Sequence, residues 1–123
     1  MATIAVVDDY KPFREELCRT LEKKGFRVLI QAEHGADLLS QLKTLQTLPD
    51  LCLCDINMPV MNGFETARQL KEKYPAIRLM GFSTDDGNFN RREMLECGAD
   101  DFMSKNSMPD EYAKRLILLL NIS

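Results

Sequence analysis

Asp8 and Asp9 stand directly after the apolar run Ile4-Ala5-Val6-Val7, and Asp55 directly after Leu51-Cys52-Leu53-Cys54. Carboxylates that end neighbouring strands of a parallel sheet are delivered to its carboxyl edge, so these three converge. Brought close together, they repel and raise one another's pKa unless a cation neutralises them. Oxygen donors of this kind select a hard divalent ion, most simply Mg2+. One acid ending a strand is an ordinary solvated loop residue; an adjacent pair with a third on the next strand reads as a site. Ser83 ends a fourth apolar run, and Lys105 follows a fifth, Asp101-Phe102-Met103-Ser104, which sets a hydroxyl and a cation facing the acids. Alone, these would be a turn serine and a surface lysine; their weight is joint. In such company a carboxylate can act as a nucleophile toward a phosphoryl group, with metal and lysine absorbing charge on the transferring oxygens.

Strand ends of this kind need a sheet to hold them. Short apolar runs alternate with amphipathic stretches, the pattern of a parallel sheet covered by helices on both faces. The runs Ile4 to Val7, Phe26 to Ile30, Leu51 to Cys54, Ile77 to Phe82 and Asp101 to Met103 predict five strands. Between them Phe13, Leu17 and Leu21 recur every four residues. Leu38, Leu39, Leu42 and Leu45 share one helical face, as do Phe64, Ala67 and Leu70. Pro12 suits a first helical turn, Gly25 ends the first helix, Pro75 the third and Gly98 the fourth. The last helix runs from about Pro109 to Leu120 through Tyr112, Leu116 and Ile117. This order predicts an α/β fold: a doubly wound five-stranded parallel sheet of flavodoxin-like strand order 2-1-3-4-5 with five helices, whose ligands gather at the carboxyl ends of the strands.

A chain of 123 residues suits one domain, spanning 1–123. It is 45% hydrophobic and 28% charged with no Gly, Ser or Pro tract, so it should fold throughout. Nineteen acidic against sixteen basic residues give a net charge of -3, which argues against direct nucleic-acid binding, since that calls for a basic stripe. No stretch is apolar for long enough to cross a membrane, and Met1 to Asp9 turns acidic where a signal peptide would stay apolar; a cytoplasmic protein is expected. Cys18, Cys52, Cys54, Cys97 and the sole histidine, His34, are a poor inventory for a zinc site or a disulfide framework. Cys52 and Cys54 lie two apart on one strand, where disulfide geometry is rare, and read as buried thiols rather than a redox pair. No Gly-rich loop follows the first strand, which disfavours a flavin or dinucleotide role. The acids also lie on two strands rather than as Asp-x-Asp on one, unlike an aspartate-based phosphatase.

Four segments taken together carry a resemblance. They are Val6-Val7-Asp8-Asp9, Cys54-Asp55-Ile56-Asn57-Met58-Pro59-Val60-Met61-Asn62-Gly63, Phe82-Ser83-Thr84, and Gly98-Ala99-Asp100-Asp101-Phe102-Met103-Ser104-Lys105. With them the chain resembles, over essentially its whole length, the receiver domain of two-component response regulators, and the Asp55 to Gly63 stretch is highly specific. The resemblance implies that Asp55 is the phosphoacceptor and that Asp9, Asp55 and the backbone carbonyl of Asn57 hold Mg2+, with Asp8 acting mostly through water. It further implies that Lys105 pairs with the phosphoryl group, that Ser83 turns inward to bond a phosphoryl oxygen, and that Phe102 swings inward with it. The outer face of the fourth helix, fifth strand and fifth helix is thereby remodelled. A phosphoryl group brings roughly 1.5 to 2 negative charges, enough to bias a bistable loop; Phe102 fits equally as a plain core aromatic. The implied partners are a sensor histidine kinase or phosphotransfer protein upstream and an output domain or protein downstream, and a phosphorylation-dependent homodimer is allowed. Such a chain is no enzyme beyond its own phosphorylation and autodephosphorylation.

Two positions depart from the common pattern. Asn106 follows Lys105 where many receivers have a proline in a cis peptide, and since a non-proline cis bond costs about 2.5 to 4 kcal/mol, that bond is not assumed here. Thr84 stands where a smaller alanine is frequent, which would narrow access to the phosphoryl group. Asn57 and Asp85 occupy the positions that tune autodephosphorylation in the family. Pro59 and Gly63 shape the loop carrying Asp55, Met58 and Met61 read as apolar contacts for a partner or for loop packing, and Arg91 and Arg92 as exposed residues of a partner face or, by default, of a solvated helix surface. Two other readings stay open. One is the receiver half of a longer transcriptional regulator with a helix-turn-helix output domain, since Asn121-Ile122-Ser123 stop where a linker would begin and Lys105-Asn106 is frequent in that class. The other is an interaction module that is never phosphorylated, which the complete set Asp8, Asp9, Asp55, Ser83 and Lys105 makes hard to sustain.

Overall fold

The computed structural model describes residues 1–85 and 87–121. Its elements are β1 (Thr3–Val7), α1 (Lys11–Lys23), β2 (Arg27–Ala32), α2 (Gly35–Leu42), β3 (Leu51–Asp55), α3 (Gly63–Lys73), β4 (Arg78–Ser83), α4 (Asn88–Glu96), β5 (Asp101–Ser104) and α5 (Pro109–Leu120). The strands form one parallel sheet in the order β2-β1-β3-β4-β5, as the sequence predicts. Ile122 and Ser123, named in the reading of a linker boundary, lie outside the described residues.

The sheet is covered on both faces, which is why its central strands are continuously apolar. Leu51 and Leu53 of β3 face a layer shared with Leu17 and Leu21 of α1 and Leu116 and Leu119 of α5. Cys52 and Cys54, alternating with them, face Leu38 and Leu42 of α2, Leu70 of α3 and Met94 of α4. The cysteines are free and buried, as expected of plain core thiols. Burial pushes the Cys52 thiol up to about 12, so it stays protonated and inert. Among the described residues no helix is long and apolar enough to cross a membrane.

Several strands start or end a residue away from the expected runs, and two boundaries differ for a clear local reason. Phe26 belongs to the cap of α1 rather than to β2: Gly25, at φ +98°, lets its own N–H reach Glu22 O (3.1 Å) and lets Phe26 N–H reach Leu21 O (3.0 Å). The strand therefore starts one residue later and runs on to Ala32. Leu45 shares the apolar face of α2, yet the helix stops at Leu42, and Leu45 packs on the core from the following loop. The predicted span of α5, opened by Pro109, is the observed one.

Candidate functional site

Parallel pairing of β1 with β3 brings the Asp8-Asp9 pair beside Asp55. One carboxylate oxygen from each lies within 4.8 Å of the others. Asp8 and Asp55 are 0% and 4% exposed, whereas Asp9 is open to solvent. Asp8 Oδ1 accepts from the Tyr10 N–H (2.9 Å) and Asp55 Oδ1 from the Ile56 N–H (2.8 Å). The remaining oxygens face Lys105, whose Nζ is 2.7 Å from Asp8 Oδ2 and 3.2 Å from Asp55 Oδ2. The contact with Asp8 Oδ2 is ionic only: that buried oxygen receives no well-directed hydrogen bond. One ammonium thus balances two buried carboxylates. Burial foremost, then the charge of Asp8, pushes the Asp55 carboxyl up to about 6 against the opposing pull of Lys105 and the Ile56 N–H. Clustered hard oxygens with excess negative charge and an acceptor lacking a directed donor are what a hard divalent cation fits.

The loop after β3 is tightly built. Gly63 N–H donates to Ile56 O (2.7 Å), and a Cβ on Gly63 would fall 2.2 Å from Asp55 O, so no other residue permits this approach behind the acid. Met58 is buried in the core and Met61 packs against it, which decides their role in favour of loop packing. Asn57 is exposed on the same loop. Val60, 81% exposed, adopts φ +65°, a left-handed conformation that a β-branched side chain resists.

Ser83 ends β4 and is buried; its Oγ accepts from the Asp85 N–H (3.1 Å) while its carbonyl accepts from the Lys105 N–H (3.0 Å). The serine therefore anchors the backbone of the lysine and the start of the β4–α4 loop. Phe102, which the resemblance implies swings inward on phosphorylation, is inward and fully buried here, as also suits a core aromatic. Gly81 makes the space, since a Cβ there would meet Met94 Cγ at 2.6 Å and Phe102 Cδ2 at 3.0 Å. Arg91 does not lie on an open surface. It is partly buried, its guanidinium lies 5.6 Å from the Phe102 ring centroid, and its Nη2 donates to Phe102 O (3.3 Å). Thr84 is exposed, and the peptide bond after Lys105 is trans.

Sequence reasoning missed four neighbours of this edge. Arg14, buried on α1, donates from Nη1 to Asp8 O (2.7 Å) and from Nε to Gln31 Oε1 (3.2 Å), fixing the end of β1. The hydroxyl of Tyr112 donates to Lys105 O (3.0 Å). The rings of Phe13 and Phe82 flank the Lys105 ammonium. Phe13, Phe82 and Tyr112 were visible only as apolar positions of their elements, and Arg14 only as a polar residue of an amphipathic helix.

Fold and site together define the class, a receiver domain of a two-component response regulator. The profile described as the response regulator receiver domain matches residues 4–117, and the chain belongs to that family. It is 31% identical over 118 residues to the transcriptional regulatory protein CreB of Escherichia coli (strain K12), covering 96% of this chain and 50% of that protein. It is 38% identical over 114 residues to a protein-glutamate methylesterase/protein-glutamine glutaminase of Clostridium acetobutylicum, covering 90% of this chain and 32% of that one. The chain thus spans half or less of the length of these relatives. Among solved structures, the signal receiver domain of NarL from Mycobacterium tuberculosis superposes with a TM-score of 0.90 at 29% identity, over 99% of this chain and 98% of that one.

Proposed function

We propose that Asp55 accepts a phosphoryl group from a histidine kinase or phosphotransfer protein and that the chain, one receiver domain over residues 1–123, relays the change to an output domain or protein. The observation that carries this reading is the buried Asp55 carboxylate sharing the Lys105 ammonium with Asp8 while Asp9 stands beside them. Asp8, Asp9, Asp55 and the carbonyl of Asn57 would hold Mg2+, with Asp8 acting mostly through water. When bound, that ion supplies neutralisation of the clustered acids and of charge on the phosphoryl oxygens. A carboxylate oxygen of Asp55 forms the new bond to phosphorus as the donor's bond to phosphorus breaks, and the leaving group departs with that electron pair, so that an acyl phosphate results. Lys105 donates to a phosphoryl oxygen. Ser83 Oγ turns from the Asp85 amide to another, which loosens the β4–α4 loop and alters the α4–β5–α5 face next to Phe102. With its carboxyl near 6, Asp55 is ionised at neutral pH and more basic than an ordinary aspartate. Beyond its own phosphorylation and autodephosphorylation the chain catalyses nothing. It acts in the cytoplasm, binds neither membrane nor, at a net charge of -3, nucleic acid directly, and a phosphorylation-dependent homodimer fits the same switch.

The decisive experiment is incubation with acetyl phosphate with and without Mg2+, read by intact mass beside Asp55→Asn. A metal-dependent gain of one phosphoryl group, absent from the variant, is expected; no gain with any metal would leave an unphosphorylated interaction module. One observation favours a second, compatible reading of the biology. The chain matches half of a protein named a transcriptional regulator, which suits the receiver half of a longer DNA-binding regulator with a helix-turn-helix output domain.

A further inference from the structure

Lys105 has two carboxylate partners, and the reading of Asp55 as a cation-assisted phosphoacceptor, on which this inference rests, gives both of them to another ligand. What remains around the ammonium is aromatic. Lys105 Nζ lies 5.0 Å from the centroid of Phe13 and 5.3 Å from that of Phe82, and the two rings stand 6.1 Å apart at an angle of 31°. Both separations lie within the range of attraction between a cation and the negative face of a ring. Little water competes, because the lysine side chain is only 12% exposed and Phe82 is fully buried. The stem is fixed as well: Lys105 N–H donates to Ser83 O (3.0 Å) and Lys105 O accepts from the Tyr112 hydroxyl (3.0 Å). The rings come from two elements, α1 and β4, pack against each other, and both face this cation.

We propose that Phe13 and Phe82 form an aromatic seat that positions the Lys105 ammonium for the transferring phosphoryl group. They are positioning residues and touch no reacting atom. While the acids are free, the seat and the carboxylates hold the ammonium together; once the acids are engaged elsewhere, the seat alone keeps it beside Asp55. An aliphatic side chain of similar bulk would fill the same space but offer the ammonium no negative face.

Phe13 is the residue to vary, since it is only half-buried, at the wall of an open groove of about 140 Å³ between α1 and α5. Phe13→Leu keeps an apolar side chain and removes the ring; Phe13→Tyr keeps the ring. At saturating Mg2+, Phe13→Leu is expected to slow phosphoryl gain from acetyl phosphate about five- to twentyfold, with the Mg2+ dissociation constant from calorimetry changed less than about twofold, while Phe13→Tyr restores the rate to within about threefold. Phe82→Leu should repeat the pattern. A Phe13→Leu rate within about twofold of the parent, or Phe13→Tyr as slow as Phe13→Leu, would overturn the seat and leave both rings as packing. A second measurement does not depend on phosphorylation: the Lys105 ε-methylene protons should show a ring-current shift that Phe13→Leu diminishes, and its absence from the parent overturns the seat directly. A parent chain that shows the shift but gains no phosphoryl group would instead count against the phosphoacceptor reading.

Discussion

Asp50 and Asp55 bracket the same strand, and their surroundings are opposite. At the amino end of β3, Asp50 is exposed; its Oδ2 accepts from the Thr3 N–H (2.9 Å) and hydroxyl (3.2 Å), its N–H donates to Thr3 O (2.9 Å), and its carbonyl accepts from the Arg78 N–H (3.1 Å). Around the start of β5, Asp100 accepts from the Leu79 N–H (2.8 Å) and Lys71 Nζ (3.2 Å), and Asp101 pairs with Arg115 (2.8 Å). At the carboxyl end, Asp55 is buried and shares one ammonium with a second buried acid. Backbone torsions repeat the contrast. The loops at the amino edge put glycines at positive φ, Gly25 at +98° and Gly98 at +116°, while the loop after β3 puts Val60 there at +65°. Acids at the amino edge are satisfied on the spot and lock strands together. Those at the carboxyl edge hold excess negative charge beside a loop with a strained residue, which is how a folded domain keeps a site responsive.

Removing the shared cation breaks this comparison most severely. Lys105→Met leaves Asp8 and Asp55 buried without a counter-charge, and should lower stability in chelator-treated buffer by about 3 kcal/mol. Urea unfolding with saturating Mg2+ should recover much of the loss, since a cation binding the folded state restores the balance. At the amino edge Lys71→Met, which frees a partly exposed Asp100 that keeps its Leu79 amide, should cost about 0.5 to 1 kcal/mol. Equal losses in the two variants would mean that the edges do not differ as described.

Titration gives the next largest effect. The folded Asp55 carboxyl near 6 stands above the unfolded value of about 3.9, so between these two pH values the folded chain holds a proton that the unfolded chain has lost. Stability contributed by this group is present below about pH 4 and is lost as pH rises through 6, by roughly 2 to 3 kcal/mol. Other carboxylates oppose the trend; Lys24, for one, holds Asp110 below its ordinary range. The quantity to follow is therefore the stability difference between Asp55→Asn and the parent chain without metal. It should grow from near zero at pH 4 to about 2 kcal/mol in favour of the variant at pH 7. A difference that stays flat across this window would show that Asp55 is not burdened by burial and by Asp8.

Much of the carboxyl edge was legible in the sequence because it depends on where strands end. Asp8, Asp9, Asp55, Ser83 and Lys105 each close an apolar run, and the order of runs and helices dictates the sheet that aligns them. What stayed hidden depends on side chains from separate elements meeting. Phe102 lies inward because Gly81 on the next strand and Met94 on α4 leave it room, and no local pattern reports that. Arg14 sits on a helix whose polar positions read as solvated, yet the end of β1 draws it into the core. Phe26 looked like strand because it is apolar, although the conformation of Gly25 assigns it to a helix cap.

Val60 offers the smallest and most finely tuned test. Its side chain is mostly in water, so replacing it removes little packing, and the cost of its left-handed backbone is what a substitution reads. Val60→Gly relieves crowding between the β-branched side chain and its own backbone but gives the unfolded chain more freedom, and the two effects leave a net gain of about 0.5 to 1 kcal/mol. Gly25→Ala is the mirror test at the amino edge. No atom lies within 4 Å of the added Cβ, so any loss, about 1 kcal/mol, comes from forcing alanine into positive φ. Opposite signs in thermal unfolding would show that the amino edge has its backbone matched to its residues and the carboxyl edge does not. A destabilising Val60→Gly would instead mean that the valine holds the loop behind Asp55 in place, so that the strain there is balanced by a contact rather than stored.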